Sequence, residues 1–204
     1  CRRIAVLGTD SAAGKRTTAV ELVRALQAGG GTAELIGTGQ TSWMQGVRYG
    51  IVLDALINDF VSGEIEHAIW SAWCEAKPDT LVLEGQGSLL NPAYPGGFEL
   101  LAAGRPHAVV LQPVPARIEY DGFPGFPIEP IETQIAAVEL IGQCPVVALT
   151  ISHEGLDAAA WAEARADLSG RTGLPVLDVL RDGPARLVEI VLAVAPGAAR
   201  GARR

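Results

Sequence analysis

Aromatic residues are scarce, at 5% of 204 residues, although hydrophobic residues as a whole reach 49%. A core with so few rings is aliphatic, as in α/β proteins whose parallel strands are buried on both faces. Long uninterrupted apolar runs are missing, and so is a signal-peptide pattern, so no membrane span and no membrane partner is expected. Positive charge is also thin. The formal net charge is −7, and Arg200, Arg203 and Arg204 crowd the last residues. No basic stripe remains to track a phosphate backbone, which argues against a nucleic-acid partner. The three cysteines, Cys1, Cys74 and Cys144, lie far apart. They form neither a disulfide framework nor a metal pattern, so reduced thiols, a cytoplasmic location and no metal site are expected. The chain opens on Cys1 and its one methionine is Met44, so a preceding segment is expected.

What is present is an alternation. Short β-rich runs at 3–7, 32–36, 80–84, 107–111, 145–151 and 175–178 are separated by helical stretches. The predicted helices are 15–28, 50–61, 63–76, 131–142, 157–171 and 183–194. The glycines Gly29 to Gly31 end the first helix, and Asp157 has the character of an N-cap. This order implies right-handed crossovers and a three-layer α/β fold, with a mainly parallel sheet and helices on both faces. Residues 1–194 form one domain, and 195–204 are expected to be a disordered tail. The segment 112–130 holds five prolines and reads as a long loop of the kind that is usually functional or mobile.

The first strand–loop–helix unit, from Val6 to Ala19, carries the strongest signal. Gly8, Thr9, Ser11, Ala12, Ala13 and Gly14 make a small-residue loop that ends in Lys15, one of only two lysines. Backbone N–H groups at a helix N-terminus converge on an anion, and the helix dipole adds to the attraction. Lys15 can reach outer phosphate oxygens. A plain glycine-capped turn with a surface lysine is the competing reading. The loop departs from a common phosphate-loop NTPase in two respects. Five residues separate Gly8 from Gly14, not four. Arg16 stands where a magnesium-binding hydroxyl normally follows the lysine, and Thr17 is turned about 100° further round the helix. Asp10 lies inside the loop, where a carboxylate repels phosphate unless it serves a metal or a substrate amine.

Two further loops fall on the same sheet edge, since ligands of open α/β sheets bind outside the carboxyl ends of the strands. Glu84 ends the strand Leu81 to Leu83 and is a candidate base or metal ligand. Gln86 and Ser88 beside it are candidate substrate contacts, with a solvated turn as the alternative. After the second strand, Thr38, Gln40, Thr41 and Ser42 offer polar groups, although a plain turn explains them equally well. The helix predicted after this loop carries Asp54 and Asp59, and Asp54 either faces the site or lies on a solvated face. His67 and His153 lack metal spacing, and His107 is structural. Arg117, in the proline-rich loop, is a candidate clamp for a carboxylate or phosphate.

Together the segments "GTDSAAGKRTTAVELVRAL", "TGQTS", "GIVLDALINDFVSGEIE" and "LVLEGQGSLLNPAYPGG" resemble a bacterial domain-of-unknown-function family. One characterised branch of that family is D-glutamate N-acetyltransferase. More distantly, "GTDSAAGK" and "EGQGS" resemble dethiobiotin synthetase, which keeps the longer glycine spacing but has threonine after the lysine. The resemblance implies a P-loop NTPase-like domain that normally follows a smaller Rossmann-like domain, absent from this chain. It also implies acetyl-CoA as cofactor. Where the family often carries histidine after the fourth strand, this sequence has Gln112 near that place. The leading expectation is therefore an acyl-CoA-dependent N-acyltransferase acting on an amino acid. The phosphate loop, including Arg16 and Thr17, holds CoA. Glu84 or Asp10 takes a proton from the amine, and Arg117 or nearby polar groups hold the substrate. The alternatives are an ATP- and Mg²⁺-dependent ligase or kinase, with the metal on Asp10, Thr17 and Glu84, and a non-catalytic nucleotide-binding module. A homo-oligomer is expected.

Overall fold

Strand alternation sorts the core into two layers. In the first strand, β1 (Arg2–Gly8), Ala5 and Leu7 point into one hydrophobic cluster while Ile4 and Val6 point into the other. Successive side chains of a strand face opposite ways, so a run of consecutive aliphatics feeds both faces of a sheet covered on both sides. The computed structural model describes residues 1–85, 87–93 and 96–196. The other strands are β2 (Ala33–Gly37), β3 (Tyr49–Gly50), β4 (Thr80–Glu84), β5 (Ala108–Gln112), β6 (Val146–Thr150) and β7 (Val176–Leu177). They form one seven-stranded sheet in the order β3-β2-β4-β1-β5-β6-β7, and each strand pairing in it is parallel.

Helices α1 (Lys15–Ala28) and α7 (Ala185–Ala193) cover one face, burying Ala19, Leu22, Leu26, Leu187 and Val191 against Ile4, Val6, Val82 and Val110. The opposite face is covered by α3 (Asn58–Ala76), α4 (Gly97–Gly104), α5 (Ile131–Gly142) and α6 (Ala158–Thr172). These set Ile65, Leu100, Leu101, Val138 and Leu168 on Ala5, Leu7, Leu83 and Leu111. A short helix, α2 (Gln40–Met44), follows β2. The expected N-cap of α6 is present, with the Asp157 carboxylate accepting from the Ala160 N–H at 2.8 Å.

The stretch expected as a helix over 50–61 is not one. Tyr49 and Gly50 add an edge strand to β2, and Ile51 N–H donates to Gly37 O at 2.7 Å. A single 3-10 turn at Leu53–Ala55 follows. The apolar residues Ile51 and Leu53, two positions apart, are both buried there, which one face of a helix would not allow. Helix α3 then runs unbroken from Asn58. The sequence also gave no warning of α2, α4 or β3. The final residues, 197–204, lie outside the described residues. No helix among those described is long and apolar enough to cross a membrane.

Candidate functional site

The site is the carboxyl edge of β1, β4 and β5. Alternation fixes which residues face α1 there. Val6, Val82 and Val110 face α1, so Gly8, Glu84 and Gln112, two positions on, face the same way. A Cβ at Gly8 would stand 2.8 Å from Lys15 Cδ, so only glycine leaves room for the lysine to lie along the strand end. Lys15 is 6% exposed, and its Nζ donates to Asp10 O at 2.8 Å. Burial lowers its pKa from 10.5 to about 8, against the opposing pull of Glu84 and Asp10.

The loop itself alternates in hand. Ala12 (φ 49°) and Gly14 (φ 93°) adopt left-handed conformations, the pattern that turns successive N–H groups into an anion-binding concavity. Gln112, at the end of β5, holds this shape. Its Nε2 donates to Ala13 O at 2.6 Å, and its Oε1 accepts from Thr18 Oγ1 at 2.7 Å and from Thr150 Oγ1 at 3.2 Å. A side chain at Gly14 would strike Gln112. Gln112 and Thr150 were not placed in the site from sequence. Counting two positions on from Val110 and Ala148 along their strands finds both.

A cavity of about 830 Å³ opens over the loop, lined by residues 11–17, Val20, Glu21, Arg24, residues 45–47, Glu84, Gly85 and Gly87. Glu84 is 4% exposed. Burial raises its pKa, with Arg16 and Lys15 pulling the other way. The Arg16 guanidinium stands over it, with Nη2 3.8 Å from Glu84 Oε1. A smaller cavity of about 180 Å³ on the other flank of the loop shares Ala12–Gly14 and Thr17 with the first and also reaches Thr18. It adds His153, Asp178 and Leu180, and His153 Nδ1 lies 2.8 Å from Asp178 Oδ2.

Other sequence-predicted residues take different places. Asp10 is fully buried and occupied. Its Oδ1 accepts from Ser11 N–H (2.8 Å), and its Oδ2 from Arg117 Nη1 (2.7 Å) and Asp121 N–H (3.1 Å). Arg117 also donates to Ser11 O and to Glu154. The proline-rich loop thus folds back and clamps the phosphate loop from behind, and neither Asp10 nor Arg117 lines the large cavity. Thr9 is buried, its N–H donating to Gln112 O at 3.1 Å. Ser88 is buried and donates to Gln134 Oε1 at 2.8 Å. Gln40 and Thr41 are exposed on α2, outside the cavity, whereas Gln45, Gly46 and Val47 just beyond that helix line it. Thr38 Oγ1 donates to Glu84 O. Asp54, Asp59 and His67 are exposed. His107 Nδ1 accepts from Arg3 N–H at the far end of β1. Gln86 lies outside the described residues.

A parallel sheet with a glycine-rich loop between its central strand and a helix, and a buried lysine in that loop, defines a P-loop α/β protein. Fold comparison agrees: cobyrinic acid a,c-diamide synthase of Mycobacterium smegmatis, solved with ADP and magnesium, superposes with a TM-score of 0.58 at 13% identity, covering 94% of this chain and 93% of that one. Residues 1–188 match the P-loop domain of DUF1611, a domain of unknown function, and the chain belongs to that family. A DUF1611 family protein from Anabaena variabilis, solved as a crystal structure, superposes with a TM-score of 0.87 at 33% identity over 94% of this chain and 57% of that one. A curated relative, the D-glutamate N-acetyltransferase of Tritonibacter scottomollicae, is 30% identical over 95% of this chain. The chain spans 59% of that relative's length.

Proposed function

We propose that the protein is an N-acyltransferase that moves an acyl group from acyl-CoA to the amine of an amino acid, with D-glutamate and acetyl-CoA as first candidates. The observation that carries this reading is the Arg16 guanidinium 3.8 Å from Glu84. In a magnesium-dependent P-loop enzyme the residue after the lysine supplies a hydroxyl to the metal. Here it supplies a permanent cation, and a divalent ion on Glu84 would face that charge. CoA carries phosphates that need a cradle but no catalytic magnesium.

The loop fits such a ligand. It has left-handed Ala12 and Gly14, the lysine at its base, and a cavity of about 830 Å³. The backbone of residues 11–15 and Lys15 would hold a CoA phosphate. Acyl-CoA supplies an acyl carbon bonded to a thiol leaving group. The chain supplies proton management. An amino-acid ammonium must lose a proton before its nitrogen can attack, and Glu84, whose burial raises its pKa, is the buried carboxylate of the cavity wall that can accept it. The new C–N bond replaces the C–S bond, and the nitrogen's second proton balances the departing thiolate. The similarity to a named D-glutamate N-acetyltransferase supports the choice of substrate.

The test is thiol release from acetyl-CoA in the presence of D-glutamate. Turnover is expected, with a loss of about 10²–10⁴-fold in Glu84→Gln and CoA binding retained. No thiol release by protein that binds acetyl-CoA and D-glutamate together refutes the reading.

A further inference from the structure

Among the described residues, three buried side-chain polar atoms have no hydrogen-bond partner: Arg16 Nε, Glu84 Oε2 and Ser42 Oγ. Buried polar groups are nearly always paired, and an orphan is costly to the fold. Ser42 packs into the notch left by the missing side chain of Gly37 and is not part of the large cavity's wall. The other two belong to neighbouring side chains that line it. One is a donor on a cation, the other an acceptor on an anion.

The fold elsewhere makes tight pairs from the same chemistry. Arg117 meets Asp10 at 2.7 Å, and Arg171 grips Glu132 with two bonds of 2.8 and 2.7 Å. A guanidinium and a carboxylate free to close do so in this way. Arg16 and Glu84 stop at 3.8 Å, beyond hydrogen-bond range. Their unmet valences narrow the ligand. A metal on Glu84 would meet Arg16's positive charge. A simple anion on Arg16 would meet Glu84's negative charge, and the phosphates already have the loop. A molecule bearing an ammonium beside a carboxylate satisfies both.

We infer that Arg16 and Glu84 form an α-amino-acid subsite, in which the Arg16 guanidinium takes the ligand's α-carboxylate and the Glu84 carboxylate takes its ammonium. The Arg16 side chain is 24% exposed and that of Glu84 5%, so Arg16 is the partner that swings aside to admit the ligand. The subsite deepens the acyl-transfer reading and rests on it for the choice of an amino acid. It places the amine against the buried carboxylate of the cavity wall, next to the phosphate loop, whereas Glu21 in the same wall is paired with Arg24 at 2.7 Å.

Calorimetric titration of the CoA-saturated protein with D-glutamate, L-glutamate, glutarate (no amine) and 4-aminobutyrate (no α-carboxylate) tests it. At least one glutamate enantiomer is expected to bind about tenfold or more tighter than either analogue, the worth of one charge-assisted contact. Arg16→Gln is expected to abolish the preference over 4-aminobutyrate alone, and Glu84→Gln the preference over glutarate alone. Absence of glutamate binding, equal binding of the analogues, or variants that keep both preferences would overturn the subsite, even if acetyl transfer proceeds. Correct selectivity without acetyl transfer would uphold the subsite and sink the acyltransferase reading.

Discussion

Replacing Lys15 with methionine is expected to make the ligand-free protein more stable while weakening its hold on phosphate. Lys15 is almost completely buried, and burial lowers its pKa from 10.5 to about 8. At about 1.36 kcal/mol per pKa unit, keeping it charged costs the fold roughly 3 kcal/mol at pH 7. The bond to Asp10 O returns about 1 kcal/mol. Methionine fills similar volume without the charge, for a net gain of about 2 kcal/mol, or about 4–8 °C in Tm for a domain of this size. The pH dependence has a definite sign. The folded pKa is depressed, so between about pH 8 and 10.5 the unfolded state binds more protons and the wild type gains stability as pH rises. The variant's advantage is therefore full below pH 8 and fades toward pH 10.5. Affinity for CoA should fall about tenfold or more in the variant, and in the wild type it should decline as pH rises above about 8. Thermal denaturation at pH 7 and pH 10, paired with CoA titration, checks every part. An unchanged or lower Tm at pH 7 refutes the desolvation argument, and unchanged CoA affinity removes Lys15 from the site.

Gln112→Leu strips partners from Ala13 O, Thr18 Oγ1 and Thr150 Oγ1. It should cost about 2–4 kcal/mol in urea denaturation and loosen ligand binding with it. Arg117→Ala leaves the buried Asp10 carboxylate without its counter-ion and should cost about 3–5 kcal/mol; a smaller loss in chemical denaturation would show that the clamp is slack. Gly85→Ala drives a Cβ into Leu7 and against Leu100 and Val6 O. The variant is expected to lose stability by about 1–3 kcal/mol through overpacking, read from its shift in Tm.

The sheet was legible because its signal is local. Aliphatic runs at β1, β4, β5 and β6 have no competing period, and the rule that ligands gather at strand carboxyl ends drew Gly8, Glu84 and Lys15 to one edge. The stretch 49–57 misled because Leu53, Leu56 and Ile57 keep helical spacing, while the chain pairs Tyr49 and Gly50 with β2 and makes only a 3-10 turn at Leu53–Ala55. Arg117 and Asp10 stand 107 positions apart and meet because the proline-rich loop turns back on itself. No pattern within either segment encodes that meeting, and it leaves Arg117 serving the loop rather than facing the cavity. Ser88 likewise turns inward to Gln134 on α5, a partner fixed only when the helix packs. The orphaned atoms of Arg16 and Glu84 are a property of distance, which the order of residues does not contain.

Titration of the purified protein with acetyl-CoA and with ATP, each in magnesium and in EDTA, bears most directly on the claim that Arg16 stands in for a metal at this phosphate loop. Acetyl-CoA is expected to bind with the same affinity in both buffers. ATP is expected to gain little from magnesium until Arg16→Thr restores the hydroxyl. ATP binding by the wild type that depends on magnesium, with no measurable binding of acetyl-CoA, would contradict it.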